Sequence, residues 1–293
     1  VDPGADTFAH AWSVTKNGLP YDGGTDPTFS FTPDDDAQYV VTLTVTDDDG
    51  GVGTASETIV VTNVAPTIAL SGNGVTNEGA WYTLTLGAVT DPGDDTVAQY
   101  VVFWGDNTST TYTAAQVADS GRVVSHYYDD NVYNGNTPVG PISVTLVDED
   151  GAHMNAGQSN LTVNNVPPTA LVINGGAVNE GSPGMVIVVS QNDVSTADQA
   201  AGYTYGYDFN NDGDFDDPGE IVSTTQTNVT VPASYLDNNP SRTIRVEIRD
   251  KDNGISQYWT TITVNNVAPV IEAGPNAQTF ANASFTRTGT ITD

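Results

Sequence analysis

The segment Asp208-Phe209-Asn210-Asn211-Asp212-Gly213-Asp214-Phe215-Asp216-Asp217 carries the densest chemistry in the chain. Oxygen side chains stand at its positions 1, 3, 5, 7 and 9, with glycine at position 6. Hard oxygen donors at alternate positions, wrapped round one point by a glycine turn, form the first part of an EF-hand-like calcium loop. Asp208, Asn210, Asp212, Asp214 and Asp216 are the expected Ca²⁺ ligands. The bidentate acid of such a loop belongs at position 12, where Gly219 stands; Glu220, one residue on, is the substitute. Six acids in thirteen residues repel one another unless a cation joins them. The flank Tyr203-Thr204-Tyr205-Gly206-Tyr207 alternates like a strand, which places the loop in a β-hairpin. The competing reading is a solvated acidic turn. Tyr203, Tyr205 and Tyr207 share one strand face, as packed core aromatics or as a sugar platform.

A second set of oxygens recurs along the chain. Asp47 and Asp49 stand in Asp47-Asp48-Asp49-Gly50, Asp148 and Asp150 in Asp148-Glu149-Asp150-Gly151, and Asp250 and Asp252 in Asp250-Lys251-Asp252-Asn253-Gly254. Glu78 and Glu180 sit in two Asn-Glu-Gly triplets, and Asn63 and Asn165 in Asn-Val-(Ala/Pro)-Pro linkers. Each acidic run also reads as a tight hairpin turn. Asp91-Pro92-Gly93-Asp94-Asp95 and Asp2-Pro3-Gly4-Ala5-Asp6 read as self-bonded Asx turns, with Asp94 or Asp95 a lesser candidate ligand.

Charge points the same way. Thirty-seven acids against seven bases give a net charge of −30, and the acids divide into 30 Asp and 7 Glu. Such a field repels nucleic acid and anionic membranes and attracts cations. Asp is the residue of turns and of short-reach calcium ligation. A high-salt adaptation would spread acids over strand faces, whereas here they gather in turns. No catalytic residue is expected, and the chain does not read as an enzyme. It has no Cys, its three histidines (His10, His126, His153) recur at no equivalent position, and no Gly-x-Ser-x-Gly elbow or phosphate loop occurs. No apolar run nears the ~18 residues of a membrane helix. The opening Val1-Asp2-Pro3-Gly4 lacks a signal-peptide pattern, so a piece of a longer protein is expected.

A repeat must position these groups. The linker prolines Pro66, Pro168 and Pro269 are 102 and 101 residues apart, and the other landmarks keep that spacing. Tyr39, Val41, Leu43 and Val45 alternate with polar or β-branched partners, as do Ile142, Val144 and Leu146, and Ile244, Val246 and Ile248. Period-two patterning with turn clusters every ~8–12 residues predicts an all-β sandwich. The expected division is 1–66, a domain lacking its first strands; 67–168; 169–269, with the acidic loop; and 270–293, the opening strands of a further domain. Thr290-Ile291-Thr292-Asp293 reads straight on into Val1-Asp2-Pro3-Gly4. Either the polypeptide continues as a longer repeat, or residues 270–293 complete residues 1–66 of a neighbouring unit; the competing reading is an arbitrary boundary.

The chain resembles PKD-type repeats of bacterial and archaeal surface proteins, within the wider immunoglobulin- and cadherin-like group. The matching pieces are Asp2-Pro3-Gly4-Ala5-Asp6, Trp12-Ser13-Val14, Trp104-Gly105-Asp106, the strand Tyr39–Asp47 and the linkers and Asn-Glu-Gly turns. Residues 169–269 depart most, with Val194-Ser195-Thr196-Ala197-Asp198 where Asp-Pro-Gly is expected. The resemblance implies tandem immunoglobulin-like β-sandwiches in an elongated array, with Trp12 and Trp104 in the cores. It implies an extracellular structural or adhesive role, with head-to-tail partners. The alternative is an accessory carbohydrate- or protein-binding module of a secreted hydrolase. By analogy with cadherin-like arrays, Ca²⁺ would sit at domain junctions. The first junction would use Glu78, Asn63 and one or more of Asp47 to Asp49.

Overall fold

The computed structural model describes residues 7–133, 137–237 and 240–292. It is all-β, apart from two one-to-two-turn helices, Ala114–Asp119 and Thr196–Ala201, and a 3₁₀ turn at Ala233–Tyr235. The Asp2–Asp6 turn lies outside the described residues. The chain divides into two compact units. One comprises Val1–Thr76, Trp81–Tyr127 and Val132–Val163; the other comprises Asn77–Ala80, Tyr128–Asn131 and Asn164–Asp293. The two short segments of the second unit carry Glu78 and Asp130.

In the first unit, an antiparallel sheet runs in the order Leu19–Gly24, Phe8–Lys16, Ala37–Asp47, Val52–Val61. Trp12 pairs with Leu43, and Leu43 with Ala55. Tyr39 and Val14 are buried, but Trp12 is only half-buried. It stacks on Phe29 at 5.8 Å and lines an open groove of about 380 Å³ with Phe31, Val41, Leu43 and Ile59. Among the described residues no second sheet covers this face, which is why Trp12 departs from the expected core position. A two-layer sandwich follows. Val123–Tyr128, Ala80–Thr90 and Thr67–Gly72 form one layer; Ala152–Ser159, Ile142–Val147, Gln99–Phe103 and Ser109–Thr113 form the other. Leu84, Leu86, Val102, Ile142, Val144 and Leu146 are fully buried between them, as the period-two pattern requires. Trp104 is fully buried, stacks on His126 at 4.8 Å, and donates Nε1–H to Thr110 Oγ1.

The second unit packs the sheet Thr169–Asn174, Gly184–Asn192, Asn228–Val231 on a five-stranded one. The latter runs Val178–Asn179, Ile255–Asn265, Ser241–Arg249, Thr204–Asp208, Ile221–Thr224. Val186, Val188, Val231, Ile244, Val246, Ile248 and Ile262 fill the space between. Each such side chain contributes on the order of 1.5–3 kcal/mol when fully buried. Tyr205 and Tyr207 belong to this core and Tyr203 packs against it, so the tyrosine stripe is a packing feature. The chain's last strands, Val270–Glu272 and Thr290–Thr292, pair Val270 with Thr292. Thr67 with Thr90 and Thr169 with Asn192 are the corresponding pairs at the start of each sandwich.

Candidate cation centre

Backbone pairing sets the Asn-Glu-Gly turns. Val178–Asn179 runs parallel to the strand end at Val264 and Asn265, so Glu180 N–H reaches Asn265 O at 3.0 Å. Glu78 N–H reaches Asn164 O at 3.0 Å in the same way. The following glycine must turn left-handed. Gly79 sits at φ 68 and Gly181 at φ 71, and a Cβ on Gly79 would collide with Val194. Glu78 Oε1 then accepts from Val166 N–H at 2.7 Å, and Oε2 from Asn131 N–H at 3.0 Å. Glu180 Oε1 likewise accepts from Val267 N–H.

Each acidic turn divides its labour. In Asp250-Lys251-Asp252-Asn253-Gly254, Asp250 Oδ1 accepts from Asp252 N–H at 2.9 Å and Gly254 N–H at 2.7 Å. A Cβ on Gly254 would strike Asp250 Oδ2. Asn165 Nδ2 donates to both Asp250 oxygens, at 3.2 and 3.1 Å. Asp148 Oδ1 plays the same part for Asp150 N–H at 3.0 Å and Gly151 N–H at 3.2 Å. The first acid ties the turn and the second projects from it. Asp47 also ties its own turn, accepting from Gly51 N–H at 2.6 Å.

These devices bring carboxylates together at two places. Glu78, Asp130, Asp198 and Asp252 each place an oxygen within 4.8 Å of the others. Asp193, Asp198 and Asp250 form an overlapping group. Asp35, Asp36, Asp95 and Asp150 form the other. The two places are repeat-related, since Asp150 and Asp252 are 102 positions apart and Asp95 and Asp198 are 103 apart. Asn63 lines a cleft of about 170 Å³ with Asp35, Asp36 and Gly93, beside the earlier group.

Asp193 and Asp198 were not legible as ligands because the third repeat lacks Asp-Pro-Gly. The structure gives them the same geometry by other means. Asp193 Oδ1 accepts from Ser195 N–H at 3.0 Å, as Asp91 Oδ1 does from Gly93 N–H at 3.1 Å. Ser195 then caps the short helix that carries Asp198. The 102-residue offset from Asp91 to Asp193 is the signal that finds them. Asp130 and Asp35 precede corresponding strands, a weaker signal.

The centre is largely buried and electrostatically loaded. Asp198 is fully buried, and its Oδ2 has no hydrogen-bond partner among the described residues. Asp193 Oδ2, Asn165 Oδ1 and Asn131 Oδ1 are buried and unpartnered too. Burial, then the nearby Asp198 and Asp130, push the Glu78 carboxyl up to about 7 against its two backbone donors. Burial, then Asp35, Asp91, Asp150 and Asp148, push Asp95 up to about 6. Asp193, Asp198 and Asp252 are raised as well, each chiefly by burial. The donors are all oxygens, gathered from separate segments, with carboxylates and amide carbonyls mixed. This set fits a hard divalent cation that takes 6–8 oxygens, as Ca²⁺ does.

Of the residues grouped with Glu78, Asp130 lies in the same stretch 67–168 and Asp198 and Asp252 in 169–269; none belongs to the Asp47–Asp49 turn named at the outset. The loop Asp208–Asp217 is organised differently. Asp208 is fully buried; Oδ1 accepts from Asn211 N–H and Oδ2 from Gly213 N–H at 3.2 Å. Arg245 Nε lies 3.2 Å from Asp208 Oδ2, and its guanidinium sits 4.7 Å over Phe215. Asp212 Oδ1 and Asp214 Oδ1 cap the N–H groups of Asp214 and Asp216, each at 3.2 Å. Asn210 Nδ2 donates to Asp212 and Asp217. Glu220 Oε1 accepts from Phe209 and Asn210 N–H at 2.8 and 3.2 Å. None of the three carboxylate groups among the described residues includes a residue of this loop, or Asp47, Asp49, Asp148 or Glu180.

These features define a tandem all-β chain with acid clusters at two repeat-related places, the later one the more buried. No protein-family model matches it, and no curated protein matches it significantly. Among solved structures it is similar to a tetra-tandem repeat from the extending region of a large adhesion protein. That match is 14% identical and covers 92% of this chain and 69% of that one, with a TM-score of 0.41. A second similar structure concerns surface retention of a 1.5-MDa bacterial ice-binding adhesin: 17% identity, 91% and 89% coverage, TM-score 0.32. A third is a Ca²⁺-stabilized adhesin that helps an Antarctic bacterium bind ice: 16% identity, 91% and 69% coverage, TM-score 0.31. At TM-scores below 0.5 these likenesses carry no argument, and the reading below rests on the chain's own residues. Among the described residues, no helix is long and apolar enough to cross a membrane.

Proposed function

We propose that this chain is an extracellular structural or adhesive array of PKD-type, immunoglobulin-like repeats whose junctions are stiffened by Ca²⁺. The repeats are 1–66, 67–168 and 169–269, with 270–293 opening a further one. The observation that carries the reading is Asp198, fully buried with an unpartnered oxygen among five other acids. A buried carboxylate group of this density is costly unless a cation neutralises it. Ca²⁺ held by oxygens from several segments would fix those segments together and stabilise the folded state by mass action. Calorimetric titration of the chain with Ca²⁺ tests this. Saturable binding, lost when Asp95→Asn and Asp198→Asn are combined, is expected; binding unchanged in that double variant would refute the assignment.

In the same reading the partners are neighbouring repeats or further copies, joined head to tail. The groove lined by Trp12, Phe29 and Leu43 is an apolar sheet face. The hairpin of Val270–Glu272 and Thr290–Thr292 has the pairing that opens a sandwich, and its Val270, Ile271 and Ile291 are exposed. Light scattering of the chain across concentration tests self-association; a monomer at every concentration would contradict it.

A glycan-contacting role has one observation in its favour. Trp81 is 70% exposed and packs against Tyr127, 38% exposed, at 5.6 Å. Such a pair offers a stacking surface for a sugar ring. Retention on polysaccharide that Trp81→Ala abolishes would support the accessory-module alternative.

A further inference from the structure

The two repeat-related acid groups differ at one position that faces them. Where the earlier turn reads Asp148-Glu149-Asp150, the later one reads Asp250-Lys251-Asp252. Lys251 Nζ lies 2.8 Å from Asp130 Oδ2 and 3.2 Å from Asp198 Oδ1, and it contacts Asp252. One ammonium therefore touches all three carboxylates grouped with Glu78. Glu149, at the corresponding place, adds a negative charge and accepts from Thr96 N–H at 2.8 Å. The bases near the earlier group are more peripheral. Lys16 binds Asp34 at 2.9 Å and reaches Asp35 at 3.4 Å, and His153 pairs with Asp148, outside the group.

We infer that Lys251 is a resident counter-cation of the later group, and that a divalent cation entering there must displace it. This rests on the calcium reading above. The ammonium and a metal ion compete for the same oxygens of Asp130, Asp198 and Asp252. The lysine can leave, because its charge rides on a flexible four-carbon stem and its side chain is 23% exposed. Without metal, Lys251 holds the later group together. The earlier group, with Glu149 instead, depends on the metal more. The two junctions then fill in sequence as Ca²⁺ rises, the Asp35–Asp36–Asp95–Asp150 group first. A chain with unequal junctions stiffens in steps.

The test uses the full chain, wild type, Lys251→Gln and Glu149→Lys, with Ca²⁺ as the probe. Unfolding is followed in EDTA and binding by calorimetry. Lys251→Gln is expected to unfold at lower temperature in EDTA and to tighten the weaker class of Ca²⁺ sites by roughly tenfold or more. Glu149→Lys is expected to weaken the tighter class. Ca²⁺ binding of unchanged strength in Lys251→Gln would overturn the inference alone. No Ca²⁺ binding by wild type or by Lys251→Gln would overturn it together with the calcium reading.

Discussion

Glu78 Oε1 accepts a 2.7 Å hydrogen bond from the N–H of Val166, eighty-eight residues later. The bond ties the opening turn of one repeat to the linker that leads into the next. With Asn131 N–H on the other oxygen, it fixes Glu78 as the floor of the Asp130–Asp198–Asp252 group. Glu78→Ala would leave both part-buried donors unpaired, at up to about 1–3 kcal/mol each. The unfolding midpoint in Ca²⁺ is expected to fall by several degrees, and the calcium increment to shrink with it. Thermal unfolding followed by circular dichroism reads both.

The charge on that floor sets a pH trend. Burial holds the proton on folded Glu78 up to about 7, whereas the unfolded chain releases it near the ordinary carboxylate value of 4.5. Between those values the folded state binds the extra proton, so metal-free stability falls as pH rises. Ca²⁺ favours the ionised carboxylate and opposes that fall. In EDTA the protein should unfold at lower temperature near pH 7.5 than near pH 5, with the gap narrowing in Ca²⁺. Glu78→Gln should flatten the EDTA trend. A metal-free midpoint that climbs over this interval would contradict the assignment.

Asp198→Asn should act in opposite directions in the two conditions. The amide keeps the shape and removes a buried charge among like charges. Metal-free stability should rise or hold, while the gain from Ca²⁺ should drop. A purely structural Asp198 would give the same shift with and without metal.

Arg245 makes a separate prediction for the acidic loop. Removing it by Arg245→Met strands the fully buried Asp208, which should cost about 3–5 kcal/mol. Adding Asp208→Asn should recover much of the loss, a coupling that urea unfolding of the four-member cycle measures.

The repeat and its strands were legible because β patterning is local. Tyr39 to Val45 and Ile244 to Ile248 alternate in the sequence and form strands, and in the second the burial alternates too. Glu78, Asp150, Asp250 and Asp252 were legible as acids at recurring turns. Their grouping was not, because which repeat's turn meets which linker depends on strand direction and on parallel pairing such as Val178 with Val264. Asp193 and Asp198 escaped notice because Ser195 and a short helix replaced the Pro-Gly turn. The Asp208 loop is a different case. Its spacing is that of a calcium loop, yet a cation for Asp208 arrives from the neighbouring strand as Arg245, a contact that no spacing within the loop encodes.

The most direct measurement of the central claim is the unfolding midpoint of the wild-type chain in EDTA and in millimolar Ca²⁺. Cations bound among Glu78, Asp130, Asp198 and Asp252 and among Asp35, Asp36, Asp95 and Asp150 require a rise in the midpoint that grows with Ca²⁺ concentration. A midpoint that Ca²⁺ leaves unmoved would contradict it.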